Sequence, residues 1–428
     1  MTMTPLVMVL TLLAGILILF IPRRYVPVPF FLMASYMTLG QVVMVGPFNF
    51  TALRLLVIFA IVRAFIRGDR RLFVPTSMDK AMVVFMIAML VTGTLLEKNE
   101  GFINRLGNAW TFGGIYFTIR LFVVTEADVV ELLKIISIIL VPLACCMLVE
   151  YFTRRNLFFV FGGVPEFTMI RGEKLRCQGA FAHPILAGTA GAICLPQMVY
   201  LWMEEKMVRF LAVLGLCACF IIIFTSNSSG PIMTSVFACG AILFWPLRYK
   251  MKLIQKGIVV LLVVLQLFMK APVWFLMAKI DLTGSSTGWH RAALISSALS
   301  HLREWWLIGT TFTRHWMPTG VTWSPNHTDI TNHYIHFGVI GGLPTMVAFI
   351  FILKEGYKAI GKQLFVCEGN HLKRQRVAWM FGSILFAHTM TFLSVSYFDQ
   401  INVFLYTVFG LIGTLDANRI LLEKTQKI

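Results

Sequence analysis

The chain has 428 residues, of which 58% are hydrophobic and 13% charged, and its mean hydropathy is +0.78. Soluble domains carry roughly 25% charged residues, so this composition excludes a soluble globular protein, which would lack the polar residues to cover its surface. The net charge of +17 does not require a nucleic-acid partner, because Lys and Arg collect in the cytoplasmic loops of membrane proteins.

Apolar segments long enough to cross a bilayer recur along the whole chain. The first, 5–21, has no positive region before it and no small-residue cleavage site after it, so it is predicted to be a spanning helix rather than a cleaved signal. The candidate segments are 5–21, 28–46, 50–66, 80–96, 109–125, 131–150, 184–203, 208–225, 230–247, 257–276, 332–353, 377–396 and 401–416. Since a span needs about 20 apolar residues, we expect an all-α polytopic membrane bundle of about 12–13 transmembrane helices in one domain, 1–428.

The distribution of basic residues predicts how the chain is oriented. Most Lys and Arg fall in alternate loops, for example at Arg67, Lys206, Lys252 and Lys362, and the positive-inside rule places these loops in the cytoplasm. The N-terminus then faces out and the C-terminus faces the cytoplasm. Two long loops face out, the first outer loop at about 151–183 and the second outer loop at about 277–331, which precedes the last three spans.

The first outer loop carries positive charge against this trend. Arg171, Lys174 and Arg176 lie within six residues, and His183 follows just before the next span. Arg binds phosphate oxygens through two parallel hydrogen bonds, so one interpretation is an anion site. The other is that long loops are translocated whatever their charge, and that His183 is simply an interfacial residue.

The second outer loop contains a predicted amphipathic helix. The turn signal Thr-Gly-Ser-Ser-Thr-Gly at 283–288 precedes it, and Gly309 ends it. Its apolar residues recur at helical spacing: Ala292, Ile295, Leu299, Leu302 and Trp306. His290 and Arg291 lie at its start. An Arg there opposes the helix dipole, so either the surface tolerates it or its charge is needed beside a ligand at the helix N-terminus.

The richest polar stretch is Asn-His-Thr-Asp-Ile-Thr-Asn-His-Tyr-Ile-His-Phe-Gly at 326–338, at the outer mouth of a span. Histidine is the side chain best suited to move protons near neutral pH. The candidate side chains are His327, Asp329, Asn332, His333 and Tyr334. The histidines at 327, 333 and 336 are spaced by six and three, and no HExxH motif is present, so no metal site is predicted. The alternative is a polar helix end at the membrane interface.

Together these stretches resemble the O-antigen ligase and O-antigen polymerase superfamily of bacterial membrane glycosyltransferases. Arg176 precedes a turn that enters a span at His183-Pro, Arg291 opens an amphipathic helix that ends near Gly309, and His327 stands eleven residues before the Gly-x-x-Gly that begins at Gly338. Three spans follow, as in the family, and the likeness covers about 170–355.

Two positions depart from the family pattern. Ser229 stands where an Arg of a Ser-Arg-Gly motif is often found, and Thr328 follows His327 where Asn is usual. These departures bear on the substrate and the subgroup.

The resemblance implies glycan transfer from an undecaprenyl-diphosphate-linked donor to a glycan or lipid acceptor, at the outer face of the bacterial inner membrane, without metal or cofactor. Arg176 and Arg291 would stabilise the leaving diphosphate, and His327 would take the acceptor proton. The implied substrate contacts are Arg171, Lys174, His183, His290, Asp329, Asn332, His333 and Tyr334. Membrane lipids and polysaccharide-assembly proteins are the expected partners, and ligase and polymerase stay open.

A transporter or flippase of lipid-linked oligosaccharide is the alternative, and an assembly scaffold is a third possibility. Transporters place ionisable residues near the middle of the membrane, where this sequence offers Arg54, Arg120 and His388. Most unexplained polar residues lie instead in the outer loops, and no matching pair of broken helices indicates inverted repeats. The distribution therefore favours an enzyme.

Overall fold

The computed structural model describes residues 2–204, 206–279, 287–365 and 371–425. The described chain is mostly helical. Its helices are α1 (Pro5–Phe20), α2 (Val28–Tyr36), α3 (Ala52–Ile66), α4 (Ser77–Phe122), α5 (Glu126–Thr153), α6 (Pro184–Glu204), α7 (Arg209–Ser226), α8 (Ser229–Leu243), α9 (Met251–Phe268), α10 (Leu276–Lys279), α11 (Thr287–Ser300), α12 (Leu302–Trp305), α13 (His333–Leu364), α14 (His371–Thr391) and α15 (Ile401–Thr425).

Three short antiparallel hairpins complete the described elements. Their strands are β1 (Val43–Val45) with β2 (Phe48–Phe50), β3 (Met169–Arg171) with β4 (Lys174–Arg176), and β5 (Gly320–Val321) with β6 (Ser324–Thr328). The all-α prediction is therefore confirmed at the level of the bundle.

Within the described residues, seven helices are long and apolar enough to cross a membrane: α4, α5, α6, α7, α9, α13 and α15, with α7 and α9 each counted together with the 3-10 turn before it. The helices α1 and α8 are apolar but shorter. These features are consistent with a multi-pass membrane protein. The predicted segments 80–96 and 109–125 lie in one helical run, α4, of 46 residues, whose backbone is non-helical at Glu97 and Lys98.

The predicted span 28–46 is wrong in its second half. The helix α2 ends at Tyr36 after nine residues, and β1 and β2 follow, turning at Gly46 with a φ of +58°. Glycine and proline at 46–47 interrupt a helix, and the β-branched Val43 and Val45 favour a strand. Hydropathy alone did not separate a short helix plus a hairpin from one span.

The centre of the bundle is formed by α6 and α15, whose most apolar windows are 83% and 94% buried. The helix α6 packs on α7, α8 and α14, and α13 packs on α4, α14 and α15. By contrast, α9 has no buried residue among its 18. The described bundle therefore leaves one apolar helix outside its core.

The second outer loop docks onto a break in α13. The backbone is non-helical at Gly341 and Gly342, and Gly342 has a φ of +69°. Across the break, the N–H of Leu343 donates to the carbonyl of Trp306 (2.7 Å), and the N–H of Thr310 donates to the carbonyl of Val339 (2.8 Å). A Cβ at 342 would lie 2.4 Å from the Leu307 carbonyl oxygen, so this approach requires glycine.

The amphipathic helix exists, and three of its predicted apolar residues lie on the packed face: Ala292 is buried, and Ile295 and Leu302 pack against a small core. The helix breaks at His301 into α11 and α12. The other two predicted residues, Leu299 and Trp306, are each 49% exposed, whereas their neighbours Ala298 and Trp305 are buried. The break shifts the angular phase of Trp306, which lies beyond it, while Leu299 lies before it. The buried side chains join a small separate core of Leu294, Ala298, Trp305, Trp316, Met317, Ile335 and Val339. Residues 283–286 of the predicted turn lie outside the described residues.

Candidate functional site

The basic residues of the first outer loop lie on the hairpin of β3 and β4. Arg171 is paired with Lys174 across the two-residue turn Gly172-Glu173. Both turn residues have positive φ (54° and 62°), the geometry that two-residue hairpins favour. The hairpin exposes Arg171 and Lys174 at its tip and buries Arg176 at its base.

Arg176 is a buried cation with a neutral hydrogen-bond partner. Its side chain is held by Ser228, whose Oγ accepts a hydrogen bond from Nη2 (2.7 Å). Its Nε is buried without a hydrogen bond, and no carboxylate pairs with it in the described part of the chain. Burial lowers the pKa of Arg176, and the nearby Arg171 lowers it further. A buried charge normally requires a counter-charge, so an anionic ligand would complete this site.

Two buried side chains that sequence reasoning missed hold the segment after Arg176. The carboxylate of Glu150 accepts from the N–H groups of Gln178 (3.2 Å) and Gly179 (2.8 Å). The amide of Gln400 donates to the carbonyl of Ala180 (2.6 Å) and accepts from the N–H of Ala182 (3.2 Å). These contacts fix the turn that leads from Arg176 to His183.

We expect Gln400→Ala to lower the free energy of unfolding by about 2–4 kcal/mol, because it leaves buried backbone groups unbonded. Gln197 is the matched control, since its amide is also buried but its Nε2 has no hydrogen-bond partner among the described residues. Thermal unfolding of both purified variants measures the difference. Equal losses in Gln400→Ala and Gln197→Ala would contradict this role of Gln400.

His183 lies beside the basic hairpin at the entrance to α6. Its Nδ1 accepts from the N–H of Ile185 (3.1 Å). Burial lowers the pKa of His183 to about 4, with smaller effects from Arg176 and Arg171. His183 is therefore a neutral imidazole at pH 7, able to donate one hydrogen bond from Nε2.

The lowered pKa of His183 predicts a pH dependence of stability. Between pH 6.5, the ordinary pKa, and about 4, the unfolded chain binds a proton that the folded chain does not, so stability falls as the pH drops through this window. His183→Asn should make the fall smaller, because the titrating group is removed. The thermal midpoints of the wild type and of His183→Asn are measured at pH 7 and at pH 5. An equal fall in midpoint between the two pH values in both proteins would refute the prediction.

Arg291, in the second outer loop, lies within electrostatic range of Arg171 in the first outer loop. It lies in the first turn of α11, half-buried, and burial lowers its pKa. Arg171 lowers the pKa of Arg291 further, while Asp329 raises it, so both charges lie within electrostatic range. No hydrogen bond or ion pair of Arg291 is found within the described ranges. The neighbouring His290 has a buried Nε2 that is unbonded within the same ranges.

Arg171 therefore lies within electrostatic range of Arg176, of His183 and of Arg291, and Asp329 lies within range of Arg291. Arg171 and Arg291 belong to different loops and are 120 positions apart in the chain. Like charges repel, and Asp329 is the nearby carboxylate that offsets them. The arrangement can bind an anion of more than one negative charge.

His327 lies on strand β6 rather than on a helix. Its Nδ1 is 2.7 Å from the Oγ of Ser324, and its ring stacks on Trp323 with centroids 5.3 Å apart. It stands two residues before Asp329, so their Cα atoms are at most about 7 Å apart. No hydrogen bond joins His327 to the arginines in the described residues. If Nδ1 donates to Ser324, Nε2 has a free lone pair that can accept a proton.

Three other predicted residues anchor the start of α13. Asn332 caps the helix, accepting from the N–H groups of Tyr334 (3.0 Å) and Ile335 (3.1 Å). His333 is 1% exposed, and its Nδ1 accepts from the N–H of Tyr397 (3.2 Å). Tyr334 donates to the carbonyl of Thr389 (3.0 Å). These contacts are structural, and substrate binding by Asn332, His333 and Tyr334 stays a prediction.

A second cluster of titratable groups, which sequence reasoning missed, lies nearby. One ligand atom each from His301, Glu304 and His315 lies within 4.8 Å of the others. The Glu304 carboxylate is bonded by the Nε2 of His315 (3.1 Å) and the Nε1 of Trp316 (3.1 Å). The Nδ1 of His301 lies 2.8 Å from the carbonyl oxygen of Ser297, so each of the three side chains has a protein partner.

The ionisable residues inside the bundle have protein partners. Arg120 binds Asp79 through two hydrogen bonds (2.9 and 3.0 Å). Arg54 binds Thr111 (3.1 Å) and Asn49, and the Nδ1 of His388 is 2.9 Å from the hydroxyl of Tyr397. The Nε2 of His388 is buried without a hydrogen bond among the described residues.

Comparison with known proteins gives no family: neither a family model nor a curated protein matches this chain.

Proposed function

We propose that this protein is a metal-independent membrane glycosyltransferase that moves or polymerises glycan from an undecaprenyl-diphosphate-linked donor. The observation that carries the proposal is the buried Arg176, which lacks a carboxylate partner among the described residues and has an unbonded Nε, with Arg171 within electrostatic range of both Arg176 and Arg291. A diphosphate would supply the missing negative charge. Guanidinium groups match phosphate oxygens geometrically.

The proposed reaction is a single displacement at the anomeric carbon. The acceptor hydroxyl oxygen forms a bond to that carbon while the bond from the carbon to the diphosphate oxygen breaks, so the configuration inverts. His327 takes the hydroxyl proton. Negative charge grows on the leaving diphosphate, and Arg176 and Arg291 stabilise it, so no metal is needed. Lys174, the neutral His183 and His290 would add contacts to the donor.

The proposed setting is the outer face of the bacterial inner membrane, with the C-terminus in the cytoplasm. The acceptor is a glycan (polymerase) or a lipid (ligase), and polysaccharide-assembly proteins would bring the two substrates together. The partners of Arg54 and Arg120, which lie near the ends of α3 and α4, support an enzyme over a transporter.

The test is turnover by the purified protein in lipid nanodiscs. Lipid-linked glycans extracted from the source cell serve as donor and as acceptor. We expect release of polyprenyl diphosphate together with an extended or lipid-attached glycan, and full activity in EDTA. Movement of the donor across the bilayer without bond cleavage would instead establish the transporter, and activity that needs added zinc would refute the metal-independent mechanism.

A further inference from the structure

A large cavity lies at the opposite end of the bundle from the arginine cluster. Its volume is about 820 Å³. Its walls are the last turns of α13 and α15, the first turn of α9 and the 3-10 turn Trp245–Lys250 before it. Gln400, which binds the carbonyl of Ala180 in the turn after Arg176, stands just before α15, and Arg419, in this wall, lies 18 residues after Ile401. At about 1.5 Å per residue, α15 carries it roughly 27 Å away, close to the hydrocarbon thickness of a bilayer.

The cavity is strongly basic. Among the described residues, five cationic side chains and one carboxylate, Glu423, line it: Arg248, Lys252, Lys358, Lys362 and Arg419. Arg419 is bonded to Asp416 and Glu423, and Lys358 to Glu355.

Three of these cations lack a carboxylate partner within the described residues. Arg248 stacks on Trp245 and Tyr249, with its guanidinium 4.1 and 4.4 Å from the ring centres, and its Nε is buried without a hydrogen bond. Lys252 and Lys362 are exposed to the cavity mouth. The positive-inside rule accounts for basic residues on this side, but it does not require them to converge on one cavity.

The apolar wall formed by α9 indicates that the ligand of the cavity is a lipid. None of the 18 residues of α9 is buried, and its apolar side chains are open, with Val259 60% and Leu262 44% exposed. In a bilayer such a face is covered by acyl chains. A molecule with its anionic headgroup in the basic cavity would therefore find an apolar surface for its tails directly beside it.

We propose that this cavity binds the phosphate headgroup of an anionic phospholipid, whose acyl chains lie along α9. Arg248, Lys252 and Lys362 contact the phosphate oxygens. Basic pockets between membrane helices on the cytoplasmic side are typical sites for such lipids. The proposal does not depend on the proposed glycosyl transfer.

Native mass spectrometry of the full chain in detergent, with added diphosphatidylglycerol, tests the site. We expect the wild type to retain bound lipid and the double variant Lys252→Gln/Lys362→Gln to bind it about 30-fold more weakly, from about 1 kcal/mol for each charge removed. The matched control is Lys80→Gln/Lys206→Gln, which removes two exposed lysines outside the cavity. The control should bind lipid like the wild type.

Two further binding measurements distinguish the phosphate of a lipid headgroup from free inorganic diphosphate. Phosphatidylethanolamine, which has no net charge, should not compete with diphosphatidylglycerol. Inorganic diphosphate should bind at least tenfold more weakly, because it lacks the acyl chains that α9 contacts. Equal lipid binding by both double variants would overturn the site, and tight binding of inorganic diphosphate with no lipid retained would overturn the lipid as its ligand.

Discussion

Replacing His327 by alanine is expected to lower the rate of glycan transfer by about 10²–10⁴-fold, the usual contribution of a general base. The imidazole is oriented by Ser324 and Trp323, and no other histidine shares strand β6. Because His327 is half-buried in a hairpin, its removal should leave expression and membrane insertion intact. The measurement is kcat with the donor saturating, together with the thermal midpoint.

His315→Ala is the control, since His315 is another histidine of the same loop, 38% exposed and bonded to Glu304. It should retain most of the activity. Ser324→Ala should cause a smaller loss than His327→Ala, because Ser324 acts only by orienting the ring, and the loss should depend on pH. Activity like the wild type in His327→Ala would remove the general base from the mechanism.

The second large effect is expected at the arginine cluster. Arg176→Gln and Arg291→Gln should each lower kcat by about 10²–10³-fold, as when one group that stabilises the leaving charge is lost. Lysine at either position should restore only part of the rate, because it lacks the planar fork of donors. Arg303→Gln, which removes an exposed arginine of α12 in the same loop, is the matched control.

The thermal midpoint of Arg291→Gln distinguishes a binding role of Arg291 from a structural role. Arg291 repels Arg171 in the free protein, so Arg291→Gln should leave the thermal midpoint unchanged or raise it. Added polyprenyl diphosphate should raise the midpoint of the wild type and have less effect on the variant. A fall in the midpoint with unchanged ligand response would show that Arg291 supports the fold instead.

The sequence alone predicted the helical bundle and the amphipathic helix that carries Arg291. Hydropathy failed at 28–46, where the loss of helical structure depends on local turn chemistry that a window average conceals. The buried face was predicted at Ala292, Ile295 and Leu302 but not at Trp305, because the break at His301 is not visible in the apolar spacing.

The residues that fix the site were harder to find. Glu150 and Gln400 adjoin apolar segments, and their polar character was the available signal. Which backbone groups they bind is a tertiary property, since Gln400 reaches Ala180 across 220 residues. The grouping of Arg171 with Arg291 likewise depends on how two loops fold back over the bundle. The convergence of Arg171, Arg176 and Arg291 with His327 on a substrate stays a prediction.

The break in α13 has a consequence for engineering this protein. At Gly341 and Gly342 the helix cannot satisfy its own backbone, and the second outer loop supplies the carbonyl of Trp306 and the N–H of Thr310 in its place. Unbonded backbone groups are costly where water is scarce. The loop is thus part of the hydrogen-bond ladder of α13, so loop deletions and loop-swap chimeras should impair insertion before they reveal anything about chemistry. Single substitutions of loop side chains that point away from these backbone hydrogen bonds can change the specificity of the protein without changing its folding.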